Sequence, residues 1–148
     1  MYDFEVSVEQ AVAAPVHAVY DKLSDPVWVT SVMPGLIENT NISRVPVEKG
    51  DTFDYMYQMF GVINKGKWYV DEVARPNTYK AHTDGQIASE WDYQIAGDDK
   101  STTVNLTVKY SMPEGLIGRA SKDFVKSLNE KEAEHFMHNL KQYFELQF

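Results

Sequence analysis

Glu132, His135 and His138 fall three residues apart near the end of the chain, a spacing that puts a carboxylate and an imidazole on one face of a helix. Glu-x-x-His supplies ligands to carboxylate-bridged di-iron centres, but such a centre needs matching ligands from facing helices. This chain has no second motif of that kind and no cysteine, so the cluster reads as a solvated helix face and no metal is expected. Nucleophilic catalysis fares no better, because there is no G-x-S-x-G elbow. Gly61, Gly66, Gly115 and Gly118 lack the spacing and the lysine of a phosphate loop. For acid–base chemistry Glu72, His82, Asp92 and Asp54 remain, with the Tyr57 hydroxyl as a polar partner. If Trp68 faces inward, a period of two carries Val70 and Glu72 to the same side, where apolar surroundings would raise the Glu72 carboxyl toward a working range. His82 is either a cavity donor or a solvent-facing residue beside the Asp84-Gly85 turn, and the turn favours the second. Glu72, His82 and Tyr57 are the catalytic candidates, and no constellation joins them.

The aromatic and thioether side chains are better organised. Phe53, Tyr55, Tyr57 and Met59 alternate onto one face of a strand, with Asp54, Met56, Gln58 and Phe60 on the other. A Tyr and Met wall offers soft apolar contact with a few hydroxyls, which suits a flat, oxygenated ligand. Trp28, Trp68 and Trp91 are either core or cavity lining. Tyr93 and Phe124 complete the expected ligand-binding set.

Positioning these residues requires the following elements. Phe4, Val6, Val8 and Val12 alternate with polar residues as one half-buried strand. Ala14-Pro15 opens a short helix with Val16, Val19, Tyr20 and Leu23 on its apolar face. Ser24-Asp25-Pro26 opens a second, carrying Val27, Trp28 and Val32, and Met33-Pro34-Gly35 stops it. Turn-forming clusters then delimit six strands at about 37–46, 52–60, 66–74, 78–83, 87–96 and 101–111, joined closely enough to imply an antiparallel meander. A helix from about Gly115 to Gln147 closes the chain, with a predicted stripe of Ile117, Ala120, Phe124, Leu128, Phe136, Leu140 and Tyr143/Phe144. Arg119 and Asp123 are spaced for an i,i+4 ion pair on it.

At 148 residues the chain suits one domain over 1–148, without repeat or linker. A net charge of −8 argues against nucleic acid and anionic membrane as partners, since both are bound through Lys and Arg. No apolar run is long enough for membrane insertion, and the charged N-terminus and lack of cysteine point to a cytoplasmic protein.

The segments AAPVHAVYDKLSDPVWVTSVMPGL, VDEVARP, SEWDYQI, TTVNLTVKYSMP and GLIGRASKDF, in this order, resemble the START-like or SRPBCC superfamily, and within it the polyketide cyclase/dehydrase-like branch. The resemblance covers essentially the whole chain. It implies an α+β helix-grip fold, in which a bent seven-stranded antiparallel sheet wraps the long C-terminal helix, with two short helices after strand one. It also implies a cavity between sheet and helix that binds or carries a hydrophobic or amphipathic small molecule such as a lipid, quinone or polyketide, with no cofactor, as a monomer or homodimer. Aromatase/cyclases of this branch hold aromatic cavity residues near the positions of Trp28, Trp68 and Trp91. They also project an arginine into the cavity where Glu72 stands here, a departure that weakens the alternative reading as a polyketide cyclase/dehydratase-type enzyme.

Overall fold

The computed structural model describes residues 1–147. One antiparallel sheet holds seven strands: β1 (Tyr2–Val12), β2 (Leu36–Thr40), β3 (Thr52–Met59), β4 (Val62–Ala74), β5 (Thr78–Thr83), β6 (Ala88–Gly97) and β7 (Thr102–Met112). Their order is β1-β7-β6-β5-β4-β3-β2, so the chain meanders from β2 to β7 and then places β7 against β1. Helix α1 (Val16–Leu23) and a single 3₁₀ turn (Trp28–Ser31) follow β1, and α2 (Lys122–Gln147) ends the chain. This is a helix-grip arrangement.

Side-chain alternation explains the strands. Phe4, Val6 and Val12 are buried on β1 while Glu5, Ser7 and Glu9 face solvent or lie partly exposed. The two segments after β1 begin at different caps. The α1 backbone is anchored where Val16 N–H donates to the Asp98 carbonyl in the β6–β7 turn (2.9 Å). The second segment is held by the Asp25 carboxylate, which accepts from the backbone N–H of Val27 and Trp28 at 2.9 and 3.1 Å. It is only four residues long, shorter than the expected helix, because Pro34 and Gly35 follow so closely.

Three boundaries differ from expectation for identifiable reasons. The β3–β4 reversal occurs at Phe60-Gly61, both at positive φ (49° and 85°), rather than at Asn64-Lys65-Gly66. Gly66 serves a close approach instead, since a Cβ there would lie 2.5 Å from the Asp84 carbonyl oxygen. Strand β2 stops at Thr40 rather than reaching residue 46. Asn41 takes φ 56° and Pro46 has no N–H for a ladder, so residues 41–51 form a loop clamped by the Arg44–Asp51 fork (2.8 and 3.0 Å). Finally, α2 starts at Lys122, capped by Ser121 Oγ accepting from Phe124 N–H (3.1 Å), and residues 113–121 form turns with Gly115 and Gly118 in the left-handed region. Arg119 thus lies outside the helix, and among the described residues it forms no ion pair with Asp123.

The start of α2 settles which of its faces is buried. Val125, Asn129, Phe136, Met137, Leu140 and Phe144 are buried; Leu128 is half-buried and Phe124 is 55% exposed. At 100° per residue, stepping back from Leu140 by fours to Phe124 turns the side chain about 160° away from the core. The buried row therefore takes a three-residue step, to Asn129 and Val125. The same geometry sets Glu132 about 80° from Leu140, on the flank of the buried face, and turns His135 and His138 outward.

Candidate functional site

The concave side of the sheet carries the aromatic residues. On β3, Phe53, Tyr55 and Met59 are buried and Tyr57 is half-buried, all on the inward face. Trp68 of β4 stacks on Phe53 (5.8 Å between ring centres) and tilts against Trp91 of β6 (5.4 Å). The row continues through Tyr93 to Tyr79 of β5, stacked at 5.7 Å. Above this wall stand Leu23 and Pro26 beside α1, Val29 and Met33 at the 3₁₀ turn, and Leu36 and Asn39 of β2. Between wall and roof lies a cavity of about 50 Å³. At roughly 10–15 Å³ per water, it holds only a few water molecules as it stands.

Tyr55, Tyr57, Met59, Trp68, Trp91 and Tyr93 all line this cavity. Trp28 does not: it packs edge-on against Tyr143 of α2 (4.8 Å) at the margin, with Lys22 Nζ 5.4 Å above its ring. Phe124 faces solvent because of the helix phase described above. Nor does α2 supply any lining side chain, so the cavity lies between the sheet and the α1–β2 segment rather than beneath the long helix. Glu72 is displaced by a bulge: Val70 pairs with Ala81 and Glu72 with Lys80, leaving Asp71 as the extra residue. The bulge reverses the period of two, so Val70 is buried while Glu72 is exposed, 3.8 Å from Lys80 Nζ. His82 lies on the same outer face, stacked on Tyr69 (4.6 Å), its Nδ1 2.7 Å from the Asp71 carboxylate. Neither reaches the cavity.

The polar groups inside are hydroxyls and amides. Thr83, Ser89 and Trp91 form a chain, with Trp91 Nε1–H donating to Ser89 Oγ (2.8 Å), which lies 2.7 Å from Thr83 Oγ1. Trp68 Nε1–H donates to Tyr79 Oη (3.0 Å). Asn64 Nδ2 donates to Tyr55 Oη (3.0 Å) and to the Ile87 carbonyl (3.2 Å). Tyr93, 2% exposed, and Tyr110 line the cavity as well. Asn39 donates to the Pro26 carbonyl (2.7 Å), which fixes its amide orientation and leaves its Oδ1 buried without a donor.

One carboxylate meets this wall, and it belongs to the residue assigned from sequence to a solvated face. Tyr57 Oη–H donates to Glu132 Oε2 at 2.8 Å. Desolvation raises the Glu132 carboxyl above its usual range, partly opposed by the Tyr57 hydrogen bond. Tyr57 is driven well above the usual phenol range, by burial first and then by the Tyr110 and Glu132 charges; Tyr110 is raised by burial and by Glu132. Of the shifted groups packed here, from β3, β7 and α2, Glu132 is the carboxyl and the other two are phenols. The folded state holds the Glu132 proton more tightly than the unfolded chain, so its contribution to stability is present below the ordinary glutamate pKa and declines as pH rises through the raised value. Glu132→Gln, whose amide oxygen still accepts from Tyr57, is therefore expected to flatten that part of the stability–pH curve, as measured by urea unfolding between pH 4 and 7. An unchanged curve would place the titration elsewhere.

Residues 3–145 match the profile of a family described as polyketide cyclase / dehydrase and lipid transport. The chain belongs to that family. Among solved structures it resembles an aromatase/cyclase, Zhui, from Streptomyces sp. R1128, at 16% identity and a TM-score of 0.75, covering 97% of this chain and 94% of that one. A START superfamily protein from Mycobacterium smegmatis superposes with a TM-score of 0.79 at 17% identity, over 97% and 99% of the two chains. A conserved protein from Geobacillus kaustophilus gives 0.76 at 14% identity, over 96% and 94%. At these identities the likeness is one of fold. No curated protein matches the sequence. In the present chain the polar lining of the cavity and the Tyr57–Glu132 hydrogen bond are the features to explain. No helix among the described residues is long and apolar enough to cross a membrane.

Proposed function

We propose that this family member is a binding protein for a flat, largely apolar small molecule, held against the β3–β7 wall and oriented by tyrosine hydroxyls. It acts as a single domain, in the cytoplasm, as a monomer or homodimer. The observation that carries the reading is a cavity walled by aromatic rings whose lining includes Asn39, its Oδ1 buried without a hydrogen-bond partner, beside several tyrosines. A buried polar group ordinarily finds a partner, and one left without any beside an apolar cavity is accounted for by a guest. The resting volume of about 50 Å³ means that a guest must displace side chains to enter. Met33 and Leu36 are the natural ones to yield, since they lie on the short segment leading into edge strand β2.

Titration with a neutral two-ring phenol, 2-naphthol, followed by calorimetry, is expected to give saturable binding in the micromolar range. Glu72→Gln and His82→Ala, which alter only the outer face, are expected to leave the dissociation constant within about twofold, in line with surface substitutions of about 0.5 kcal/mol or less. Absence of binding would leave the aromatic wall a purely structural core. The cyclase/dehydratase reading rests on the raised carboxyl of Glu132 beside Tyr57. It would displace the binding reading if a poly-β-keto substrate were turned over by the wild type and, with binding retained, not by Glu132→Gln.

A further inference from the structure

The charge distribution around the cavity selects among guests. Among the described residues no Lys, Arg, His, Asp or Glu side chain lines it. The cation–π contacts recorded for the chain's own cations are made elsewhere, by Lys22 over Trp28 and Tyr143 (5.4 and 5.8 Å) and by Arg75 over Tyr20 (5.8 Å), none of these rings belonging to the wall. An anionic guest such as a fatty acid would therefore meet no countercharge. The cavity instead offers the π faces and Tyr57 oxygen of its wall and, on the β2 side, Asn39, whose Oδ1 has no donor. Because Tyr57 gives its proton to Glu132, its oxygen lone pairs are left as acceptors made more negative by the carboxylate behind them. Tyr57 thus presents an acceptor oxygen to the cavity on the side nearest the Glu132 carboxyl.

We infer that the guest is a small organic amine bound as its ammonium ion, with its N–H groups on Tyr57 Oη and Asn39 Oδ1, its charge balanced by Glu132 through Tyr57, and its apolar body on the Trp68–Trp91 wall. The inference rests on the ligand-binding reading and narrows it. An ammonium ion taken from water needs both a counter-charge and acceptors, and aromatic faces add to them. The overall charge of −8 favours the approach of cations as well.

Three probes of one size separate the possibilities: benzylammonium, benzyl alcohol and benzoate, each titrated by calorimetry at pH 7 against the full chain. Benzylammonium is expected to bind about tenfold more tightly than benzyl alcohol, the scale of a desolvated cation–π contact with a nearby carboxylate, and benzoate most weakly. Glu132→Gln is expected to reduce the ammonium-to-alcohol ratio below about threefold, and Tyr57→Phe, which removes the relaying oxygen, to do the same. Equal or tighter binding of the alcohol or of benzoate would overturn the amine assignment while leaving the binding reading intact. An ammonium preference untouched by both substitutions would overturn the site. If none of the probes binds and 2-naphthol also fails, the binding reading itself falls.

Discussion

Leu140→Asp is expected to abolish folding. Leu140 is 0% exposed at the centre of the face that α2 presents to the sheet, flanked by Phe136, Met137 and Phe144, each at 2% or less. Removing a buried leucine side chain alone costs about 2–5 kcal/mol. Burying a carboxylate without a partner adds several more, against a typical domain stability of about 5–15 kcal/mol. Phe124→Asp supplies the control, since Phe124 is 55% exposed and its replacement is expected to change stability by no more than about 0.5 kcal/mol. Circular dichroism and urea unfolding of the two variants read both effects. A folded Leu140→Asp, or an equally damaged Phe124→Asp, would mean that α2 packs in a different rotational phase.

That contrast shows what was legible in the sequence and what was not. Strand alternation depends only on neighbouring residues, so the residues that share a face on β1 and on β3 could be read directly, though not which face of β3 meets the cavity, and the meander followed from turn residues. The helix phase depends on where the helix begins. Gly115 and Gly118 were visible, but read as part of the helix they let the apolar stripe be extended through Phe124 at four-residue steps. Anchoring the helical wheel on Leu140 and Phe136 would have put Asn129 in the core and Glu132 on its flank. The Glu72 error has a similar source. A bulge of one residue at Asp71 is invisible to a count of alternation, and it reverses the assignment of everything after it. What the sequence could not give at all was the pairing of Tyr57 with Glu132, 75 residues apart, or the position of the cavity under α1 and β2 rather than under α2.

Trp91→Ala is expected to cost about 3–5 kcal/mol, the usual range for removing a large aromatic side chain from a core. Trp91 is 9% exposed and touches both Trp68 and Tyr93, so its loss opens the centre of the aromatic row. The polar part of the cost is small, because Ser89 Oγ keeps its contact with Thr83 Oγ1 when the indole N–H is gone. The larger part is the void, which merges with the existing free volume of about 50 Å³. An apolar void walled by rings accepts an apolar guest, and a guest that binds only the folded state stabilises it in proportion to the logarithm of its concentration. Indole at millimolar concentration is therefore expected to raise the thermal midpoint of Trp91→Ala by several degrees and to move the wild type much less. If the variant loses less than about 1 kcal/mol, the site collapses when emptied, and Trp91 is not the pillar that holds the wall apart. If it loses the full amount and indole restores nothing, the roof formed by Leu23, Met33 and Leu36 does not open on the timescale of binding, and a route of entry through β2 is excluded.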